Sequence, residues 1–224
     1  MSELYFVRHG QAAFGTENYD RLTDLGLQQS RWLGDYFAER RLRFDRVVTG
    51  GLVRHRETLN AMAGAGGLGA EAHVDARLDE YAHQALQEAY AGRMGAAPGE
   101  EAEDPRRRFY GRLERALHAW AAGDLGPGAG ETWNGFGARV VAAVATACVG
   151  RGTRVLVISS GGPMAVTLGQ VLELSSARAI ELNMQIRNSA FTHFYFDDQR
   201  MKLASFNNVP HLDRRERWHA ITLT

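Results

Sequence analysis

Apolar residues along the chain fall into short continuous runs and into longer segments where they recur every three or four positions. The short runs are typical of strands, and residues 155–158 have the unbroken apolar pattern of a strand buried in a parallel sheet. The pattern predicts strands at residues 4–7, 46–49, 73–76, 154–159, 190–196 and 201–206, and helices at residues 23–37, 52–62 and 140–149 and from Gly161 onward. This alternation predicts a three-layer α/β/α sandwich with a mostly parallel sheet.

Residues 83–131 interrupt the alternation of strands and helices. Their pattern predicts helices that are separated by a glycine- and proline-rich turn at residues 92–105 and followed by a glycine-rich turn at residues 123–130. A chain of 224 residues that is 45% hydrophobic can fill one core. We therefore interpret residues 1–224 as a single domain with a helical insertion at about 83–131 that lies over one end of the sheet.

The charge balance excludes several classes of partner. Basic and acidic residues number 26 each, so the chain has no global field that would attract nucleic acid or an anionic membrane. No apolar run approaches the length of a membrane-spanning helix. Cys148 is the single cysteine, so no intrachain disulfide can form, and we expect a cytoplasmic protein in a reducing compartment.

Polar groups follow three of the predicted strands. Arg8 and His9 end the first strand, Arg54 lies one turn into the helix after the second, and Ser160 and Gly161 begin the helix after the strand at 154–159. Since ligands of such sheets bind beyond the carboxyl ends of the strands, we expect these groups to meet. Two guanidinium groups and a helix N-terminus predict a phosphate site. The alternative, preferred for any of these residues taken alone, is that the arginines pair with surface carboxylates and that His9 caps its strand.

Several sequence blocks carry a resemblance to a known family. They are FVRHGQ at residues 6–11, LTDLG at 22–26 with Gln29, LVRHRET at 52–58, RLDE at 77–80, the segment at 131–140, and NS at 188–189 with NNVPHL at 207–212. In this order the blocks are similar to the histidine phosphatase superfamily, which is also called phosphoglycerate mutase-like. An isolated Arg-His-Gly would be a weak signal, whereas the ordered set is specific and spans nearly the whole chain.

The resemblance implies a metal-independent phosphomonoesterase of the histidine acid phosphatase type, which acts through a phosphohistidine on a small phosphorylated metabolite and needs no cofactor. His9 would be the nucleophile, and Glu80 would protonate the leaving oxygen. Arg8 and Arg54 would stabilise charge on the transferring phosphoryl group. The other predicted phosphate-binding residues are Gln11, from the family's opening motif, and Ser160 and Gly161, from the start of the helix that follows the strand at 154–159. Without the family order, Glu80 would be interpreted as a solvated loop carboxylate.

One block departs from the family's pattern, because Ser160 stands where a second active-site histidine is expected. A hydroxyl brings no positive charge, and the loss of one such donor lowers rates by roughly 100- to 1,000-fold. His83 is a candidate substitute that would fill the space above Ser160, or else it caps the first helix of the insertion; His211 is a weaker candidate. The departure leaves open a phosphate-binding or regulatory module with little turnover, and a phosphoglycerate mutase is the less favoured enzyme.

The expected partner is a phosphorylated small molecule, with no nucleic acid and no membrane involved, and a homodimer is left open. We expect the loop at residues 12–19 and the insertion to set substrate specificity, because the resemblance is loosest there. No group of side chains has the spacing of a metal site. His55 in particular shows no such spacing, and the sequence assigns it no role.

Two patterns in the insertion lie outside the family blocks. Five arginines between residues 106 and 115 are expected to form a solvated helix face that pairs with a preceding acidic cluster, which comprises Glu100, Glu101, Glu103 and Asp104. Apolar residues at helical spacing are expected to make core or dimer contacts rather than a binding surface; they are Phe109, Tyr110, Leu113, Leu117 and Trp120.

Overall fold

The computed structural model describes residues 1–13, 20–64, 68–94 and 104–223 and contains one six-stranded sheet with helices on both faces. The strands are β1 (Ser2–Arg8), β2 (Arg46–Thr49), β3 (Ala72–Val74), β4 (Arg154–Ser159), β5 (Phe191–Phe196) and β6 (Met201–Asn208). The α-helices are α1 (Asp24–Glu39), α2 (Val53–Ala63), α3 (His83–Met94), α4 (Pro105–Ala121), α5 (Trp133–Ala147), α6 (Gly161–Val171) and α7 (Ser176–Asn183).

The strands of the sheet follow the order β3-β2-β4-β1-β5-β6. The first four are parallel neighbours, β5 is antiparallel to β1, and β6 is antiparallel to β5. β4 lies inside the sheet and its residues from Val155 onward are buried, which explains why this strand is apolar throughout its middle. The predicted α/β fold with a mostly parallel sheet is confirmed, as is the predicted hairpin of β5 and β6.

The alternation of side chains along the strands divides the core into two layers. On β1, Leu4 and Phe6 belong to one hydrophobic cluster, whereas Tyr5 and Val7 belong to the other. The first cluster continues into α4, α5 and α6, and the second into α1 and α2. Helices therefore cover both faces of the sheet, which gives the three layers that the sequence predicts.

The insertion consists of α3, α4 and a 3-10 turn at Gly126–Ala129. Leu117 and Trp120 on α4 are buried in the same cluster as the apolar residues on one face of the strands. The Trp120 Nε1–H donates to the Glu131 carbonyl oxygen at 2.7 Å, which ties α4 to the segment that leads into α5. The insertion thus shares its core with the sheet.

Differences from the sequence prediction include the start of α5, the presence of α7 and the end of β3. α5 begins at Trp133 rather than at 140, because the Thr132 hydroxyl oxygen caps it by accepting from the Gly135 N–H at 3.0 Å. Glycines in this first turn weaken the helical pattern of the sequence. The sequence pattern does not predict α7, which has only 8 residues. β3 ends at Val74 rather than at 76, since Asp75 already caps a 3-10 turn.

Some sequence predictions concern residues that the structure does not describe. These are most of the specificity loop at 12–19, part of the loops at 63–69 and 92–105, and the carboxylates Glu100, Glu101 and Glu103. Within the described ranges, no helix combines the length and the apolar character needed to cross a bilayer.

Candidate functional site

The candidate site lies where β1 and β4 end side by side. Arg8 pairs with Ser159 in the parallel register, and the His9 N–H donates to the Ser159 carbonyl oxygen at 2.9 Å. The Gly50 N–H donates to the Ile158 carbonyl oxygen at 3.0 Å, so α2 begins beside both strand ends. A pocket opens there, and the described residues that line it are Arg8, His9, Arg54, Glu80, Tyr81, His83, Phe109, Tyr110, Leu113, Gly161, Asn183, Met184 and Leu223.

His9 is buried at the base of this pocket with one ring nitrogen committed to the backbone. Its Nδ1 lies 2.7 Å from the Gly10 carbonyl oxygen, which can only accept, so Nδ1 carries the proton. The Arg54 Nε–H donates to His9 Nε2 at 3.3 Å. Burial, followed by the charges of Arg54 and Arg8, lowers the pKa of His9 well below its usual value. His9 is therefore a neutral imidazole whose Nε2 holds a lone pair.

Arg54 is held in place by Asp20, a residue that the sequence does not single out. The Arg54 Nη1–H donates to Asp20 Oδ1 at 2.8 Å. Asp20 Oδ2 accepts from the Val53 N–H at 2.9 Å. Asp20 thereby caps the first turn of α2 and fixes the guanidinium group at the same time. No local pattern could reveal this contact, because the two residues are 34 positions apart.

Arg8, which lines the pocket, has an unsatisfied donor. One of its terminal nitrogens donates to the Ile186 carbonyl oxygen. Its Nε is buried and has no hydrogen-bond partner among the described residues. A buried charged donor without an acceptor is costly, and an oxyanion in the pocket would satisfy it. This orphaned donor supports the predicted phosphate site.

Glu80 enters the pocket from the loop before α3. Its Oε2 accepts from the Gly162 N–H at 3.0 Å, and its Oε1 accepts from the Tyr81 N–H at 3.2 Å. Burial raises the pKa of the Glu80 carboxyl, against the opposing effects of the Gly162 N–H and the Arg54 charge. The raised pKa favours the protonated form of Glu80, which lines the same pocket as His9.

Of the other predicted phosphate-binding residues, only Gly161 is in the described lining of the pocket. Gly161 lies at the N-terminus of α6. The Ser160 side chain is fully buried, and its hydroxyl is paired with His55. Gln11 is not among the described residues of the lining, and its amide oxygen accepts from the Thr23 hydroxyl at 2.9 Å.

The histidine that meets Ser160 is His55 rather than His83. His55 Nε2 lies 2.7 Å from Ser160 Oγ, and both side chains are fully buried. His83 does line the pocket, where its ring packs edge-on against Phe109 with the ring centroids 6.1 Å apart. His211 Nε2 is hydrogen-bonded to Ser189 Oγ at 2.7 Å, and His211 is not among the described lining residues of the pocket. The sequence missed His55 because its partner lies on a distant strand end.

α4 contributes apolar and aromatic side chains to the lining of the pocket. Phe109, Tyr110 and Leu113 line it, so the interpretation of this stripe as core contacts alone is incomplete. The predicted core role is confirmed for Leu117 and Trp120, which are buried. The solvated arginine face is confirmed in part by exposed side chains, which are those of Arg107 and Arg108.

The part of the chain that the structure describes contains no group of three or more histidine, cysteine or carboxylate side chains that could hold a metal ion. The positive charge of the pocket comes instead from the guanidinium groups of Arg8 and Arg54.

Comparisons with known proteins show similarity in sequence and in fold. The sequence profile of the histidine phosphatase superfamily (branch 1) matches residues 4–209. The 2,3-bisphosphoglycerate-dependent phosphoglycerate mutase of Sinorhizobium fredii is 28% identical over 191 residues, which cover 81% of this chain and 84% of that protein.

Solved structures share the fold. A phosphoserine phosphatase mutant from Entamoeba histolytica in complex with phosphoserine has a TM-score of 0.65 at 19% identity, with 95% of this chain and 100% of that chain covered. A phosphoglycerate mutase from Bacillus anthracis has a TM-score of 0.65 at 17% identity, with 94% of each chain covered. These named proteins include both phosphatases and mutases, which are phosphoryl-transfer enzymes.

Proposed function

The chain belongs to the histidine phosphatase superfamily, and we propose that it is a metal-independent phosphomonoesterase that acts on a small phosphorylated metabolite through a phosphohistidine at His9. The observation that carries this proposal is the state of His9. Its Nδ1 is committed to the Gly10 carbonyl oxygen, and its Nε2 keeps a lone pair beside Arg54. A neutral imidazole in a pocket that also holds two guanidinium groups and a carboxyl of raised pKa has what phosphoryl transfer requires.

In the first step, the lone pair of His9 Nε2 attacks phosphorus, and the bond between phosphorus and the ester oxygen breaks. The guanidinium groups of Arg8 and Arg54 stabilise the charge on the phosphoryl oxygens. Glu80, whose pKa burial raises, gives its proton to the leaving oxygen. The products of this step are phosphohistidine and an alcohol.

In the second step, the Glu80 carboxylate takes a proton from water, whose oxygen attacks phosphorus. The bond between phosphorus and His9 Nε2 breaks, which releases inorganic phosphate and restores the neutral imidazole. The N–H groups of Tyr81 and Gly162 hold the two carboxyl oxygens, so Glu80 keeps its position through both steps.

The glycine at position 162 is required for this placement of Glu80. A Cβ at Gly162 would lie 2.1 Å from Glu80 Oε1. We expect Gly162→Ala to displace the carboxyl and to lower kcat by about 10- to 100-fold, measured as phosphate release. The matched control is Gly137→Ala on α5, where an added Cβ meets no described atom within 4 Å. An unchanged kcat in Gly162→Ala would contradict the role of Glu80.

Part of the pocket lining favours a leaving group with apolar or aromatic character. This part consists of Phe109, Tyr110, Leu113 and Met184. Among the described lining residues, the pocket has no arginine or lysine besides the two arginines of the phosphate site. A phosphoglycerate carries a carboxylate that would call for a further cation. A phosphatase therefore fits this pocket better than the mutase activity named for the Sinorhizobium relative.

A screen of phosphate esters tests the proposal. We expect kcat/KM for aryl and apolar alkyl monophosphates to exceed that for 3-phosphoglycerate by at least about 10-fold. Phosphate release is measured for the wild type, His9→Ala and Glu80→Ala, with and without EDTA, and the chelator is expected to change nothing.

Two results would contradict the proposed function. Equally slow phosphate release by the wild type and His9→Ala would favour a phosphate-binding or regulatory module. Interconversion of 2- and 3-phosphoglycerate at a rate above that of phosphate release would favour a mutase.

A further inference from the structure

A buried pair of polar side chains, His55 and Ser160, lies beside the nucleophile and has no part in the mechanism described so far. The rings of His55 and His9 are 5.8 Å apart between centroids. His55 directly follows Arg54 on α2, and Ser160 directly precedes Gly161, which lines the pocket. The pair therefore adjoins three residues of the phosphate site.

The backbone leaves space for the His55 ring at this position. A Cβ on Gly50 would lie 2.2 Å from His55 Nδ1, so any other residue there would collide with the ring. Asp79 Oδ1 is 3.8 Å from His55 Nδ1, which is beyond hydrogen-bond length. That oxygen accepts instead from the N–H groups of Gly51 and Leu52.

The hydrogen-bond pattern indicates which nitrogen of His55 carries the proton. Burial and the Arg54 charge lower the pKa of His55 well below its usual value, so the ring is neutral and has one N–H. His55 Nδ1 has no partner among the described residues. A bare acceptor costs less to bury than an unpaired N–H, so we place the proton on Nε2, where Ser160 Oγ accepts it.

This assignment leaves the hydroxyl hydrogen of Ser160 without an acceptor. The contact with His55 is the one hydrogen bond of Ser160 Oγ within the described ranges. A hydroxyl that already accepts from His55 can donate in another direction. The Ser160 side chain is fully buried and is not in the described lining, but the next residue, Gly161, does line the pocket, so the pocket is where an acceptor such as a phosphoryl oxygen would bind.

We propose that Ser160 donates a hydrogen bond to the transferring phosphoryl group and that His55 is the positioning residue that orients the Ser160 hydroxyl. This inference rests on the proposed phosphatase function, and it adds a donor that lies apart from the two arginines. The histidine acts from α2, through the serine, rather than from the end of β4. The alternative is that the hydrogen bond between His55 and Ser160 stabilises the fold and has no effect on binding of the transition state.

The test is a double-mutant cycle on wild type, His55→Ala, Ser160→Ala and the double variant. We expect each single substitution to lower kcat by about 100-fold with a smaller change in KM, since the donor acts on charge that develops in the transition state. The double variant is expected to be no slower than the slower single variant, because both substitutions remove one and the same interaction. Additive losses would overturn the proposal.

Two further variants separate positioning from stability. His55→Gln keeps an N–H near the place of Nε2 and is expected to retain kcat within about 10-fold of wild type. His193→Ala removes a half-buried histidine that contacts Glu3 on the far part of β1, and it is expected to change Tm without changing kcat. An equal loss of kcat in the Gln and Ala variants of His55, at equal Tm, would overturn the positioning role.

Binding of orthovanadate separates a failure of this inference from a failure of the proposed function. Vanadate mimics the five-coordinate phosphoryl group. Its affinity should therefore depend on the hydrogen bond from Ser160 even in a protein that turns over no substrate. We expect His55→Ala and Ser160→Ala to weaken vanadate binding by about 10- to 100-fold, as loss of a hydrogen bond to a charged group implies. If His9-dependent turnover occurs but vanadate binds equally well to all variants, the inference is wrong and the phosphatase stands. If no ester is turned over and vanadate binding still weakens, the donor stands and the phosphatase fails.

Discussion

His9→Ala is expected to lower kcat by at least about 10,000-fold, because it removes the atom that bonds to phosphorus. The structure leaves no second nucleophile of this kind in the described lining, since His83, the other histidine there, packs against Phe109. The same substitution should leave the fold intact, because alanine fits wherever the backbone and Cβ of histidine fit.

The direct measurement for His9→Ala is acid-labile, base-stable phosphate on the protein after a brief reaction with a radiolabelled aryl phosphate. Wild type is expected to carry label that His9→Ala lacks. His83→Ala is the matched control, since it removes another histidine of the same pocket. If the label persists in His9→Ala, the nucleophile has been assigned to the wrong residue.

Glu80→Gln is expected to lower kcat by about 100- to 10,000-fold for an alkyl phosphate, whose leaving oxygen needs a proton. Nitrophenolate leaves without protonation, so the first step with a nitrophenyl ester should survive. The second step still lacks its base, so this variant should release about one nitrophenolate per active site in a burst and then stall as phosphohistidine.

The pH dependence follows from the directions of the two pKa shifts. His9 must be neutral to attack, and because its pKa is lowered, activity should persist below neutral pH. Glu80 must be protonated at the start, so kcat/KM should fall as pH rises through its raised pKa. Glu80→Gln is expected to abolish that alkaline decline and to leave the acid side unchanged.

The role of Glu80 is tested by comparing the loss of kcat in Glu80→Gln for the alkyl ester with the loss for the nitrophenyl ester. Equal losses of kcat for the alkyl and the nitrophenyl ester, without a burst, would show that Glu80 supports the site without transferring a proton. Asp79→Asn is the matched control, because Asp79 is the neighbouring carboxyl and caps the segment before α2. Its substitution should not distinguish the two esters.

The order and kind of the main elements could be predicted from the sequence because they depend on local patterns. The apolar run of β4 and the helical spacing of α1 are properties of neighbouring residues, and the structure has both at the predicted places. The first turn of α5 was harder to predict because its glycines weaken the pattern that Thr132 then restores by capping.

Sequence order also indicated where the chemistry lies. The carboxyl ends of parallel strands meet at one edge of a sheet, so Arg8, His9 and Arg54 could be expected together once β1 and β2 were recognised. Glu80 followed from the family resemblance alone, since nothing in its local sequence separates it from a solvated carboxylate. The structure brings all four into one pocket.

Contacts between residues far apart in the chain became known only from the tertiary structure. Asp20 meets Arg54, α4 turns Phe109 toward the pocket, and His55 meets Ser160 across 105 positions. Such contacts depend on how whole elements pack, and no local periodicity encodes them. The sequence by itself therefore determined the fold class and predicted a pocket in which His9 lies with two arginines. Packing decided which histidine stands beside the serine at the end of β4.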